Sequence, residues 1–477
     1  MQAQESVLLW FRRDLRLADN PALRAATATD LPVIPVFLWD PDDKTPPAPG
    51  AASRWWLHQS LLRLDESLRA GGSRLILRRG PAASSLAAVA AETHARRIFA
   101  NRIFDPGAQQ AETRLAAQLR AAGLALEISH AGLLWPPGDV RSTTGRVFQV
   151  YTPFWRACWN RRSELPAPLS APRMLPARRW PSSLPLAEFH LEPKIEWAAG
   201  LRAAWTPGEA AAFARLRSFA RKALPNYATE RDRPDHDGVS RLSPHLHFGE
   251  ISPLQIWHAV AGQPGAEPFL RQLAWREFAH HLLVEHPHTL REPWNPRFLH
   301  FRWRRNRRWL AAWQRGRTGY PFVDAAMRQL WATGWMHNRA RMVVASFLVK
   351  DLLIPWQDGA AWFLDTLVDA DLANNTFGWQ WAAGCGFDAA PYFRIFNPVA
   401  QGEKFDPRGD YIRRWLPELR TVSSRWIHRP WAAPPSALAD AGVQLGRNYP
   451  LPIVDHAAVR AAALAAFAET KVVPLAR

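Results

Sequence analysis

The feature that most constrains the fold is a change of hydrophobic rhythm partway along the chain. Over residues 1–131, short apolar or β-branched runs (Val7–Phe11, Val33–Trp39, Arg74–Leu77, Ile98–Ala100) alternate with stretches of helical spacing. Strands separated by helices need crossover connections, which predicts a parallel, doubly wound, Rossmann-like sheet. From Gly132 to Pro207 proline and tryptophan abound with little periodicity, the pattern of a long surface connector. After Gly208 apolar residues recur three and four apart, as in Pro253–Ala261, Pro268–Glu285, Tyr320–Thr333, His337–Leu353 and Ala457–Ala468. The expected architecture is therefore an N-terminal α/β domain (1–131), a linker (132–207) and an all-helical domain (208–477).

Composition narrows the chemistry. No apolar run approaches the ~18 residues of a membrane span, and no early stretch reads as a signal peptide, so a cytoplasmic place is expected, on the nucleoid in a bacterium. Two cysteines, Cys158 and Cys385, lie far apart and offer neither a disulfide framework nor metal-ligand spacing, so no metal is expected. A net charge of +18, nearly all from arginine, points to a polyanionic partner. The 25 tryptophans are first of all core material, yet their recurrence beside arginines suits stacking on bases or on a flat cofactor.

The first strand runs into Phe11-Arg12-Arg13-Asp14-Leu15-Arg16-Leu17-Ala18-Asp19-Asn20, which contains no glycine-rich phosphate loop, so the dinucleotide fingerprint is absent. The helical half carries Trp275-Arg276-Glu277-Phe278, Thr318-Gly319-Tyr320-Pro321, Gly334-Trp335-Met336-His337-Asn338-Arg339, Gly378-Trp379-Gln380-Trp381 and the run Asp388 to Pro398. In order and spacing these blocks resemble the DNA photolyase/cryptochrome family over essentially the whole chain. The resemblance implies an N-terminal antenna domain and a non-covalent, U-shaped FAD within the helical domain. It also implies UV-damaged DNA as partner and a monomer as the default state.

Ser240-Arg241-Leu242-Ser243-Pro244 gathers hydroxyls, a guanidinium and a helix start, with Ser243 expected as N-cap and Pro244 at the first helical position, a natural pyrophosphate cradle. Family members often carry Thr where Val239 stands, which removes one hydroxyl contact. By the same resemblance Tyr227 lies against the cofactor, and Arg276, Asn338, Asp369, Asp371 and Asn375 surround the isoalloxazine and ribityl chain. Asn375 matches the position facing the flavin's central redox nitrogen, where plant cryptochromes carry Asp. An amide donates a proton less readily than a carboxylic acid, which favours the fully reduced anionic flavin and hence repair. Trp379, Trp356 and Trp303 match the family's electron-transfer chain toward the surface.

For the substrate, Trp275 and Trp381 match the residues that flank a flipped cyclobutane dimer, and Met342 matches a soft apolar wall. Enzymes for the (6-4) photoproduct place histidines at the Asn338 and Met342 positions; this chain has neither, and that reading loses its catalyst. Cyclobutane-dimer enzymes carry Glu three residues before the first pocket Trp, whereas Gln272 stands here. An amide still donates a hydrogen bond to a pyrimidine carbonyl but cannot transfer a proton, which implies less efficient repair. Gln272 is the residue that keeps a cryptochrome-like photoreceptor as the competing reading, and it is known from (6-4) enzymes too. Arg231, Arg339 and Arg394 are the expected phosphate contacts, while Arg302, Arg304, Arg305, Arg307 and Arg308 read first as a solvated face. Asn101–Pro106 falls where the family lines an antenna pocket, with a folate, a deazaflavin or no pigment all open.

Overall fold

The computed structural model describes residues 5–43, 48–390 and 393–470. Its backbone divides into two compact units, Met1–Pro225 with Ser240–Pro287, and Asn226–Val239 with His288–Arg477. Helices on both sides of residue 240 thus share a unit with the sheet.

In the first unit, five strands form a parallel sheet in the order β3-β2-β1-β4-β5. They are β1 (Val7–Phe11), β2 (Val33–Trp39), β3 (Ile76–Arg79), β4 (Arg97–Asn101) and β5 (Ala125–Ser129). The central strands β1, β2 and β4 are almost wholly buried, as continuous apolar runs in a parallel sheet should be. Two features depart from the sequence reading. β3 starts two residues later than expected, because an edge strand can let Arg78 and Arg79 face outward; Arg78 pairs with Glu92 at 2.6 Å. β5 gave no apolar signal because it is a half-exposed edge, and its Glu127 pairs across the ladder with Arg97 at 2.6 Å.

The stretch 132–207 is not only a surface connector. It contains the helix Tyr151–Asn160, whose Tyr151, Phe154, Trp155 and Cys158 are buried. Phe154 meets Phe278 of the Ala266–Glu285 helix with ring centroids 5.1 Å apart. A ten-residue helix with one short set of buried positions does not register as periodicity in a proline-rich background.

The Phe11–Asn20 motif is a structural bolt. Arg16 is fully buried and donates to the carbonyls of Asp19, Gly249 and Ala131, and Leu15 N–H donates to Phe248 O at 3.1 Å. At Gly249 (φ +67°) a Cβ would stand 2.1 Å from the Arg13 carbonyl, so only glycine permits this approach.

The second unit is helical around one core that includes Trp313, Phe322, Met327, Phe347, Tyr411 and Tyr449. Its Thr318–Pro321 motif starts the helix Pro321–Thr333. Asp324, fully buried, accepts from Thr318 Oγ1 and N at 2.7 Å each, from Gly319 N at 3.0 Å and from Tyr449 OH at 2.9 Å. The expected helix His337–Leu353 is α-helical over Asn338–Ser346 and then widens into a π-helical turn, Phe347–Asp351. That turn carries the buried Lys350, whose ammonium sits 3.2 Å from the Phe393 ring centroid and whose pKa burial lowers to about 7.

Candidate functional site

In the second unit the residues singled out from sequence converge on two neighbouring helices, Asn338–Ser346 and Leu372–Ala383. Asp371 caps the latter, its Oδ1 accepting from Asn374 N at 2.8 Å, a geometry that Asp readily adopts before an apolar helix. Asp369 is all but buried and takes two hydrogen bonds from Arg341, at 2.7 and 2.9 Å. Arg341 was not singled out from sequence; its place three residues after Asn338, on the same helical face, is the signal that could have found it. Asn375, half-buried, donates to the Ala360 carbonyl at 3.1 Å.

The Leu372–Ala383 helix is apolar and buried on one side. On the other, Asn374, Asn375 and Trp381 are half-buried, and a side chain on Gly378 would project into open space with no atom within 4 Å. Trp379 lies on the buried side, packed against Phe363 (5.0 Å) and Trp313 (6.1 Å), and its indole N–H is buried without a hydrogen-bond partner among the described residues. Gly359 makes room for it: a Cβ there would stand 2.1 Å from the Trp379 ring. Amides and an indole on the side open at Gly378, with an orphaned indole N–H on the packed side, are groups that fit a flat heteroaromatic ring bearing amide edges, as in FAD.

Trp379 and Trp356 are each 2% exposed, while Trp303 is only partly buried and packs on the same core and on Phe301 at 4.4 Å. Two of the three indoles are thus interior and Trp303 lies nearer the surface. Trp381 is half-buried and its indole N–H donates to Asp388 O at 3.1 Å, which fixes its ring. Asn338 is exposed, its amide reaching only the Met342 sulfur at 3.8 Å. Tyr227 is buried beneath the Arg231 guanidinium (5.6 Å), and burial pushes its phenol up to about 12. Val239, half-buried, closes the same short segment. Arg339 is held by Asp232 at 2.9 Å and lies over Phe405, whereas Arg394 is exposed. The nearby motif residues Pro391 and Tyr392 lie outside the described residues.

In the first unit, Ser240, Arg241 and Leu242 lead into a short helix, Ser243–His247. Contrary to the sequence reading, Ser243 is not the N-cap. Leu242 occupies that position without a side-chain bond, because Leu242 N–H turns back onto Ser240 Oγ (3.4 Å) and Arg241 adopts a left-handed φ of +51°, so the helix begins one residue early. The turn is clamped from below by Glu250, buried and accepting from Trp56 Nε1 (3.1 Å), Gly208 N (2.8 Å), Ser60 and His245.

On the Ala266–Glu285 helix, Arg276 donates to the Gly132 carbonyl at 2.8 Å. Glu277 is fully buried, and desolvation pushes its carboxyl up to about 7. Gln272 and Trp275 are half-buried, the Gln272 amide only 3.5 Å from its own helix carbonyl Pro268 O. Asn101, in the antenna stretch, is buried and spends its amide on Asp14 (2.6 Å) and Asn20 (2.7 Å), a structural engagement.

Residues 7–173 match the family described as DNA photolyase, and residues 269–469 match the FAD binding domain of DNA photolyase. A deoxyribodipyrimidine photo-lyase from Agrobacterium fabrum is 47% identical over 98% of each chain. The chain belongs to the DNA photolyase/cryptochrome family. Among other relatives in this family, cryptochrome-1 of Arabidopsis thaliana is 41% identical over 94% of this chain and 68% of its own length. The crystal structure of a bacterial class III photolyase from Agrobacterium tumefaciens superimposes with a TM-score of 0.95 at 46% identity, covering 99% of both chains. Membership fixes the parallel-sheet plus helical FAD-domain architecture. No helix among the described residues is long and apolar enough to cross a membrane.

Proposed function

We propose that this photolyase-family chain is a deoxyribodipyrimidine photolyase that repairs cyclobutane pyrimidine dimers in DNA with bound, reduced FAD and light. The observation that carries the reading is the Leu372–Ala383 helix. It offers the Asn375 amide and the half-buried Trp381 indole on the side open at Gly378, with the buried Trp379 indole on its packed side. The full-length likeness to a deoxyribodipyrimidine photo-lyase supports the same reaction class.

FAD, if bound there, would supply the photoexcited electron for opening the cyclobutane ring and would be the group that recovers it. The chain's own residues bind and orient. Ser240, Arg241, Leu242 and Ser243, with Val239 and Tyr227, take the phosphate and adenosine end. Arg276, Asn338, Asp369 and Asp371 take the ring edge and ribityl chain, and Arg341 aims the Asp369 carboxylate. Asn375, an amide without an acidic proton, leaves the reduced flavin's central nitrogen unprotonated. Trp379, Trp356 and Trp303 relay an electron hole outward when the cofactor needs reduction.

On the substrate side, Trp275 and Trp381 each offer an indole face to a flipped pyrimidine, and base–aromatic stacking contributes roughly 1–3 kcal/mol per base. Met342 supplies apolar contact, and Gln272 donates its amide to a pyrimidine carbonyl. Arg231, Arg339 and Arg394 hold phosphates without reading sequence. An antenna pigment of folate or deazaflavin type, if present, would be seen as absorption beyond that of FAD in the purified protein.

The test is repair itself. FAD-loaded, chemically reduced protein is illuminated with a duplex carrying one thymine dimer, and restored thymines are counted by chromatography. Light-dependent, catalytic restoration is expected. Lesion binding without restoration would replace this function by a cryptochrome-type photoreceptor role.

A further inference from the structure

The direction of the Trp275 indole is imposed by a residue outside every motif considered so far. Tyr151, the first residue of the Tyr151–Asn160 helix, lies face to face with Trp275, ring centroids 3.5 Å apart and planes within 9°. Its hydroxyl donates at 2.6 Å to the carbonyl of Arg271, one turn earlier on the helix that carries Trp275. Phe278 closes the corner edge-on, 5.9 Å from each of the two rings. Aromatic pairs ordinarily settle offset or T-shaped, with centroids about 4.5–7 Å apart. Full overlap at 3.5 Å persists only where the surroundings impose it, and here they do: Tyr151 is 6% exposed, pinned by its hydroxyl at one end and by its helix at the other.

We propose that Tyr151 is a positioning residue for lesion recognition: it covers one face of Trp275, fixes the indole's rotamer and confines stacking by a flipped pyrimidine to the side away from Tyr151. The proposal rests on the reading of Trp275 as a stacking platform. An indole already ordered before binding loses no rotamer freedom when the base arrives, so the gain is specific to the flipped lesion. Undamaged duplex, held through its phosphates, does not use that face.

The experiment measures dark binding of FAD-loaded wild type, Tyr151→Phe and Tyr151→Leu to matched duplexes with and without one thymine dimer. Tyr151→Leu should weaken lesion binding about 3- to 10-fold, the cost of one freed side chain, with undamaged duplex unchanged. Tyr151→Phe, which keeps the stack and loses only the hydroxyl, should stay within about twofold of wild type. Equal losses for both duplexes, no loss in Tyr151→Leu, or a Phe variant as weak as the Leu variant would each overturn the proposal. Should Tyr151→Leu not fold, Tyr151→Met takes its place. In parallel, protein labelled with 5-fluorotryptophan reports the ring directly, with the Trp275 line assigned by its loss in Trp275→Phe. One narrow line is expected in wild type and Tyr151→Phe, and a broadened or split one in the Leu or Met variant; a narrow line in all of them overturns the proposal. If the fluorine lines behave as expected but wild type does not prefer the lesion, the platform reading of Trp275 has failed, and the proposal falls with it.

Discussion

One guanidinium nitrogen of Arg341 reaches both carboxylate oxygens of Asp369, at 2.7 and 2.9 Å, across 28 residues of chain. Asp369 is almost fully buried, and that guanidinium aims its carboxylate. Arg341→Met keeps the stem and deletes the charge, taking two hydrogen bonds from a buried carboxylate. Because Arg341 is itself about a quarter exposed, the expected loss is about 2–3 kcal/mol, below the range for fully buried pairs. Urea unfolding checks the stability, and flavin absorbance after gel filtration should show that the variant sheds FAD that wild type retains.

Gly359 and Trp379 give a second expectation. In an ordinary helix Gly→Ala stabilises by about 1 kcal/mol. Here the new methyl would stand 2.1 Å from the indole, and overpacking outweighs the helix gain. Gly359→Ala should lower stability by about 1–3 kcal/mol and, by tilting Trp379, slow photoreduction of bound flavin. Thermal melting and the rate of flavin bleaching under blue light with an external reductant measure the two effects. An unchanged rate would remove Trp379 from the relay.

Glu277 makes the fold's stability depend on pH. Burial raises its carboxyl from 4.5 to about 7 in the folded state. The group therefore contributes stability that is complete below pH 4.5 and is lost as pH rises through about 7. In Glu277→Gln that slope disappears, while an amide oxygen remains to accept from Leu134 N and Trp135 N, now 2.8 and 3.2 Å from the carboxylate. The stability of wild type relative to the variant should fall between pH 4.5 and 7 by an amount on the order of 3 kcal/mol. Parallel denaturation midpoints across that range would show that the carboxyl titrates normally.

Under the proposed function, Gln272 is the residue expected to set repair efficiency. Its amide lies 3.5 Å from the Pro268 carbonyl, too long to hold it, so the side chain is available to a ligand. Gln272→Glu restores a group that can share a proton with the dimer, and the quantum yield of repair should rise by at least about twofold with little change in lesion affinity. Equal yields would mean that hydrogen-bond donation alone is what the reaction requires of this position.

Much of the fold could be read directly. The buried strands β1, β2 and β4 announced themselves because a strand covered on both faces has to be apolar at every position. The helix Pro321–Thr333 did so through its proline start and glycine stop, Gly334 taking the left-handed conformation that ends it. Edge strand β5 and the π-helical turn at Phe347–Asp351 did not, since each departs from the periodicity that marks a regular, half-buried element, and the helix Tyr151–Asn160 did not because its periodic set is short and lies in a proline-rich background. Among candidate site residues, Trp379 and Trp381 stood in a recognisable block and Asp369, Asp371 and Asn375 were assigned through the family resemblance, whereas Arg341 and Tyr151 came from neither.

The amino-acid order alone determined the buried strands and the longer amphipathic helices, because these depend on local propensity and on spacing along one element. Tertiary packing alone decided that Arg341 grips Asp369, that Trp379 lies in the notch of Gly359 and that Tyr151 backs Trp275. Each of those contacts joins side chains from different elements, and their meeting depends on how the elements dock, a three-dimensional relation that no one-dimensional period encodes.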